Sequence, residues 1–253
     1  MAWALVTGAS AGIGMELARC CAREFDVILT ARREAPLREL AASLEAGGRK
    51  AKVVVCDLGS VGGAAELARA CEGLEVEVLV NNAGYGLAGR FAELPVDGQV
   101  GEVDLNIRAL TELSRWMVPA MVAKGRGQIL NVASTAAFQP GPFMAVYCAT
   151  KAYVLSFSLA LREELRGTGV TVTALCPGAT ESEFAGVSGA SPKLFAKGNT
   201  MSASEVALLG YRAMRRGKGL TVTGTRNRLM AFSTRLVSRG MATKIAAGMM
   251  RPR

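Results

Sequence analysis

Short, unbroken apolar runs recur along this 253-residue chain, each followed by a stretch long enough for a helix. The runs are Ala4-Leu-Val-Thr7, Asp26-Val-Ile-Leu-Thr-Ala31, Lys52-Val-Val-Val-Cys-Asp57, Glu77-Val-Leu-Val-Asn81, Gln128-Ile-Leu-Asn-Val-Ala133, Val170-Thr-Val-Thr-Ala-Leu-Cys176 and Leu220-Thr-Val-Thr223. A strand wet on one face alternates apolar with polar residues. One buried on both faces does not, so these runs predict a parallel sheet covered on both sides. Helices are expected between them, from about Ile13 to Arg23 and through Leu37, Leu40, Ala41 and Leu44. Right-handed crossovers then wind the chain into an α/β fold, a single-domain Rossmann-type doubly wound parallel sheet of about seven strands with helices on both faces. Its ligand crevice belongs at the C-terminal ends of the strands. The length suits one such domain, and no linker or internal repeat divides it. Residues 1–225 are expected to hold the fold and its sites, with 226–253 as a basic amphipathic extension of the same domain.

The chain contains no histidine. Ser-His-Asp triads, histidine bases and histidine-held metals are therefore excluded, and acid–base work falls to Tyr, Lys, Cys or carboxylates. Cys20, Cys21, Cys56, Cys71, Cys148 and Cys176 form no C-x-x-C pair and sit mostly in apolar runs. They read as buried free thiols in a reducing cytoplasm, not as a zinc site or a disulfide framework. No basic leader precedes Trp3, and no apolar run reaches the roughly 18 residues of a membrane span, so a cytoplasmic protein is expected. The net charge of +9 is uneven: Val206 to Arg253 hold eleven Lys and Arg and no acid, whereas the first 205 residues set nineteen basic residues against all 21 acidic ones.

A cofactor site is legible at the first crevice position. Thr7-Gly8-Ala-Ser10-Ala-Gly12-Ile13-Gly14 leaves a strand and enters a helix. Glycines there permit a tight turn and a close backbone approach to a pyrophosphate, whose charge the helix N-terminus meets. After the second strand, NAD-selective folds place an acid for the ribose 2′-hydroxyl, whereas arginine accommodates a 2′-phosphate. This chain has Arg32-Arg33 before its first acid, Glu34. NADP(H) is therefore the expected cofactor, with NAD(H) also possible on this fold.

Tyr147 and Lys151 stand one helical turn apart, and Ser134 ends the fifth strand at the edge where the crevice must lie. Taken with Gly8-x-x-x-Gly12-x-Gly14, Asp57, Asn81-Asn82-Ala83-Gly84, Asn106, Tyr147-x-x-x-Lys151 and Pro177-Gly178, the chain resembles the short-chain dehydrogenase/reductases in their compact form, over roughly residues 3 to 224.

The resemblance implies roles for particular residues. Tyr147 would exchange a proton with a carbonyl or alcohol oxygen. A free phenol titrates near about 10, and Lys151 beside it, with an oxidised nicotinamide, would lower that value. Lys151 would also hold the nicotinamide ribose, and Ser134 would bond the substrate oxygen and stabilise its charge. Asn106, within a helix starting near Val100, would hold a water linking Lys151 to solvent. Asp57 and Leu58 would contact adenine, and Asn82, Ala83 and Gly84 would pass the adenosine ribose while Asn81 braces the sheet. Pro177, Gly178 and Thr180 would close over the nicotinamide. The resemblance also implies a homodimer or homotetramer.

Tyr85, Leu87, Phe138, Phe143, Met144, Phe184, Val187, Leu194 and Phe195 are candidates for an apolar pocket suited to a lipophilic ketone. In the tail, Leu229, Phe232 and Leu236 recur at helical spacing beside Arg228, Arg235 and Arg239, with Gly240 expected to interrupt the helix before Met241, Ile245 and Met249. Such a face suits packing on its own domain, a partner subunit, or the anionic inner face of a membrane. Nucleic acid is the weaker partner, because no reader motif accompanies the charge. A sugar-nucleotide epimerase is disfavoured by the glycine spacing and length. A non-catalytic NAD(P)-binding regulator and an NAD-dependent alcohol dehydrogenase stand as alternatives.

Overall fold

The computed structural model describes residues 1–195 and 200–251. The strands among them are β1 (Trp3–Thr7), β2 (Asp26–Ala31), β3 (Ala51–Val55), β4 (Val76–Asn81), β5 (Gly127–Val132), β6 (Val170–Cys176), β7 (Thr180–Glu181), β8 (Met201–Ser202) and β9 (Leu220–Val222). Seven of these form one parallel sheet in the order β3-β2-β1-β4-β5-β6-β9, while β7 and β8 pair separately. The helices are α1 (Gly12–Cys21), α2 (Glu34–Ala46), α3 (Gly63–Ala70), α4 (Val96–Val103), α5 (Leu110–Ala123), α6 (Ala145–Glu164), α7 (Phe184–Ser188), α8 (Ala203–Arg215), α9 (Thr225–Ser233) and α10 (Arg239–Met250).

Consecutive strand residues explain why the apolar runs are continuous. Val6, Leu29, Val80 and Leu130 face one core with Leu17, Leu37, Leu40, Val206 and Met214. Their neighbours Leu5, Ile28, Leu79 and Ile129 face the opposite core with Leu67, Leu113, Met117 and Met121. Side chains alternate across a strand, so both phases must be apolar when helices cover both faces. Each fully buried aliphatic side chain contributes about 1.5–3 kcal/mol of apolar transfer.

The strand order reverses between β1 and β4, which opens the crevice at the C-terminal ends of those strands. Two buried amides tie the neighbouring strands there. Asn81 lies in register with Asn131, donates to its Oδ1 at 2.9 Å, and Asn131 donates in turn to Ser158 of α6 at 2.9 Å. Asn81 thus braces the sheet as expected.

Most strand and helix ends shift by a residue or two from the expected bounds, and four differences bear on the site and the tail. The third strand stops at Val55, so Asp57 lies beyond it. The helix carrying Asn106 begins at Val96 and passes through a π-helical turn, Asp104–Ala109, into α5. The last sheet strand ends at Val222. The tail helix breaks at 234–238, not at Gly240, because the Ser238 side chain accepts from the Met241 amide at 3.3 Å and caps α10 two residues earlier.

Candidate active site and dinucleotide cleft

The glycine loop has the geometry that a bound phosphate group requires. Gly8 and Gly12 sit at φ +66° and +54°, a region that side-chain-bearing residues avoid. A Cβ on Gly14 would strike the Gly8 carbonyl and the Asn82 amide. The first turn of α1 has neither a side-chain cap nor an acidic residue, leaving its amides to meet an anion. Asn82 fastens this loop: its side chain donates to Thr7 O at 2.9 Å and Gly8 O at 3.3 Å, while its amide and that of Ala83 donate to Thr7 Oγ1. A pyrophosphate-bearing dinucleotide fits such a cradle.

The other cofactor candidates surround it. Asp57 is exposed, with Oδ1 accepting from the Gly59 amide at 2.9 Å, and Leu58 is buried in the core. Arg33 is exposed and engaged in a bidentate pair with Glu183 at 2.8 and 3.2 Å, whereas Arg32 has no carboxylate partner among the described residues. Thr180 is buried and donates to Gly178 O at 3.1 Å. Pro177 accepts from the Thr135 amide at 2.8 Å. Gly178 has a reason the sequence did not reveal: a Cβ there would strike the Asn227 side chain, which is held by Thr223 O at 2.7 Å.

The candidate acid–base groups converge at the strand edge. Ser134 follows β5 in extended conformation and accepts from the Ala136 amide at 3.1 Å, so it is a cap as well as a neighbour of Tyr147. Lys151 is 5% exposed and donates to Val132 O at 2.9 Å. Its Nζ lies 5.8 Å from the centroid of the Tyr147 ring. Asn106 is buried in the π-turn. It accepts from the Tyr85 amide at 3.1 Å and donates to Tyr85 O at 2.9 Å and to Thr150 Oγ1 at 3.0 Å. A π-turn displaces one residue from the helical ladder, a device common at functional sites, and here it delivers Asn106 to α6. Thr150 and Gly86 were missed. Thr150 lies between the two motif residues, and a Cβ on Gly86 would stand 2.6 Å from the Tyr147 ring.

Burial dominates the electrostatics of this pair. Burial raises the Tyr147 phenol above its ordinary value, and a hydrogen bond from Ser134 only partly opposes this. Burial acts on Lys151 in the opposite sense and brings its pKa down to about 8. Burial thus shifts both groups toward their neutral forms, yet below about pH 8 Lys151 keeps its proton beside a protonated Tyr147. Burial also pushes the six thiols up, to about 11 at Cys56 and Cys71 and about 12 at Cys148 and Cys176.

The pocket candidates separate. Phe184 packs on Tyr147 with ring centroids 5.3 Å apart, and Met144 joins them in a cluster with Cys148 and Met250 of α10. Phe138 belongs to the core beneath α6, Tyr85 donates to Gly98 O at 2.7 Å, and Val187 is exposed. Phe143 and Leu87 line a small cavity of about 20 Å³ that also meets Glu102. Phe143 holds φ +67°, costly for an aromatic residue, at the entry to α6. The Leu194 side chain and residues 196–199 lie outside the described residues.

Glycine cradle, crevice and Tyr-Lys pair together define a dinucleotide-type α/β fold with a candidate acid–base site at its switch point. Residues 2–192 match the short chain dehydrogenase family, and the chain belongs to it. It is 34% identical over 177 residues to a ketoacyl reductase, HetN, of Nostoc sp., covering 69% of this chain and 62% of that one. It is 35% identical over 181 residues to very-long-chain 3-oxoacyl-CoA reductase-B of Danio rerio, covering 69% and 58%. The matched regions thus span about six tenths of those relatives. A solved short-chain dehydrogenase from Sphingobium yanoikuyae, in complex with NADPH, superposes with a TM-score of 0.83 at 31% identity, covering 95% of each chain.

Proposed function

We propose that the protein is an NADPH-preferring oxidoreductase moving a hydride between nicotinamide and a ketone or secondary alcohol of lipophilic character, with Tyr147 as general acid/base. The observation carrying this reading is convergence: Ser134 after β5, Tyr147 and Lys151 on α6, and Asn106 in the π-turn meet beside a glycine cradle. The cradle residues Gly8, Ser10, Gly12, Ile13 and Gly14 would hold the pyrophosphate, Arg32 and Arg33 a 2′-phosphate, and Asp57 and Leu58 the adenine. Asn82, Ala83 and Gly84 would flank the adenosine ribose, Lys151 the nicotinamide ribose, and Pro177, Gly178 and Thr180 the nicotinamide. When bound, the reduced nicotinamide supplies the hydride.

The remaining chemistry belongs to the chain. Ser134 orients the carbonyl oxygen and stabilises charge developing on it. Burial keeps the Tyr147 phenol protonated across the neutral range, as a proton donor must be. Lys151, protonated below about pH 8, offsets the phenolate left behind. Asn106 fixes α6 through Thr150 and supports proton delivery toward Lys151. A lipophilic substrate is supported by Phe184 and Met144 beside Tyr147, and by the long-chain acyl substrate in the Danio rerio relative's name. The arginine pair without a preceding acid favours NADPH over the NAD-dependent alternative. Retention of all four polar groups argues against a non-catalytic regulator. In a ketone panel, Tyr147→Phe is expected to lose about 10²–10⁴ in rate with cofactor binding intact. Wild-type turnover by that variant would remove the proposal.

Residues 226–253 form an extension of the same domain in this reading. Leu229, Phe232, Leu236, Met241 and Ile245 are all exposed, so this apolar face does not cover the chain's own core. Arg228, Arg235, Arg239 and Lys244 accompany it. That combination supports peripheral attachment to an anionic membrane surface at the cytoplasmic side. No helix among the described residues is long and apolar enough to cross a membrane. Vesicle sedimentation of the wild type and a Leu229→Ser/Phe232→Ser/Leu236→Ser variant tests it; equal partitioning removes the tail as an anchor. Deleting the tail would not be clean, since Asn227 and Met250 pack against the site. Exposed Val96, Val100 and Val103 on α4, with Trp116 on α5, support a homodimer or homotetramer.

A further inference from the structure

Arg33 is where a 2′-phosphate would be read, yet its guanidinium is already taken. Both terminal nitrogens bond the Glu183 carboxylate, at 2.8 and 3.2 Å, and one lies 3.4 Å from Ser10 Oγ of the glycine loop. The partners are 150 residues apart in sequence, so this contact ties the end of β2 to the segment after β7. That segment lies across the cradle: a Cβ on Gly12 would stand 3.2 Å from Ser182 Cβ. One residue beyond Glu183, Phe184 packs on Tyr147. The pair therefore sits on a strap running from the adenosine end of the crevice to the acid–base site. Arg32, by contrast, has no carboxylate partner among the described residues.

We propose that Glu183 is a cofactor-selectivity residue: its carboxylate and the 2′-phosphate of the dinucleotide compete for Arg33. This rests on the reading of Arg33 as a cofactor residue. A planar guanidinium presents one fork, and that fork satisfies either a carboxylate or a phosphate bidentately. The pair is exposed, with side chains 51% and 59% accessible, so it is weak enough for a doubly charged phosphate to displace. A 2′-hydroxyl is uncharged and leaves the pair in place. A 2′-phosphorylated cofactor thus exchanges the Arg33–Glu183 contact for Arg33–phosphate and releases residues 182–184 from the adenosine end. An unphosphorylated one binds with the strap still tied. Arg32 supplies the phosphate contact that needs no exchange. Glu183 accordingly moderates NADPH selectivity, and linkage requires that strap and 2′-phosphate weaken each other's hold on Arg33 equally.

The test is a double-variant cycle on the full chain, with NADPH and NADH dissociation constants measured by calorimetry for wild type, Glu183→Gln, Arg33→Met and the double variant. Glu183→Gln is expected to tighten NADPH by roughly two- to fivefold, the scale of an exposed ion pair removed from competition, and to leave NADH unchanged. In the Arg33→Met background the same change should leave NADPH unaltered. If Glu183→Gln alters neither constant or both equally while Arg33→Met still lowers NADPH preference, the competition is overturned and the cofactor reading survives. NADPH tightening that persists without Arg33 overturns it too, since the carboxylate would then repel phosphate directly. An Arg33→Met protein with unchanged selectivity overturns both the Arg33 reading and the proposal.

Discussion

Glu102 offers the sharpest quantitative test of how this site is built. It lies on α4, one turn before Asn106, and is 1% exposed. Its Oε1 accepts from the Leu87 amide at 3.0 Å, and the carboxyl borders the small cavity with Gln99 and Phe143. Burial raises its pKa from the ordinary 4.5 to about 7, the Leu87 hydrogen bond pulling only weakly the other way. The sign follows directly. Between about pH 4.5 and 7 the folded protein holds a proton that the unfolded chain has lost, so stability falls as pH rises through that window and levels off above it. The rise corresponds to roughly 3 kcal/mol at full effect, and relaxation around the charge brings the expected cost to about 1–3 kcal/mol. Glu102→Gln keeps the acceptor for Leu87 and removes the charge. The variant should match wild type at pH 4 and exceed it by about 1–3 kcal/mol at pH 8. For a chain this size that is a melting shift of about 2–10 °C. Urea midpoints measured from pH 4 to 8.5 provide the check. A constant difference between the two proteins, or a variant less stable at pH 8, would refute this account of Glu102.

Other expectations follow from the same contacts. Ketone reduction, followed as kcat/KM, should fall as pH rises through about 8, where buried Lys151 loses its proton; a flat profile to pH 10 would contradict its electrostatic role. Gly86→Ala places a methyl 2.6 Å from the Tyr147 ring and 3.2 Å from Phe184. Turnover should drop about 100-fold with the fold retained, as circular dichroism and steady-state rates would reveal. Thr150→Val removes the side-chain partner of Asn106 on α6 and should lower kcat more than cofactor affinity, whereas an equal loss in both would make it a general packing defect.

Much of this molecule was legible because its signals are local. The strand runs needed only alternation and length, and β2 and β6 match their predicted bounds to the residue. The glycine spacing and the one-turn separation of Tyr147 and Lys151 are short-range facts, so chain geometry alone placed each set on one surface. Illegible features turn on distant neighbours. Phe138 and Phe184 look alike in sequence, yet one packs in the core beneath α6 and the other on Tyr147. Burial raises the Tyr147 phenol and lowers the Lys151 ammonium, a depth that i,i+4 spacing does not convey.

Composition and periodicity determined by themselves that this chain forms a doubly covered parallel sheet, and local spacing put a glycine turn after the first strand and Tyr147 and Lys151 on one helix face, because each signal spans less than two helical turns. Only the tertiary structure decided that Arg33 is bound to Glu183, that Glu102 is buried, and that the apolar row of the tail faces outward. Burial and charge pairing are set by which distant segments come together, and that information exists only once the chain is folded.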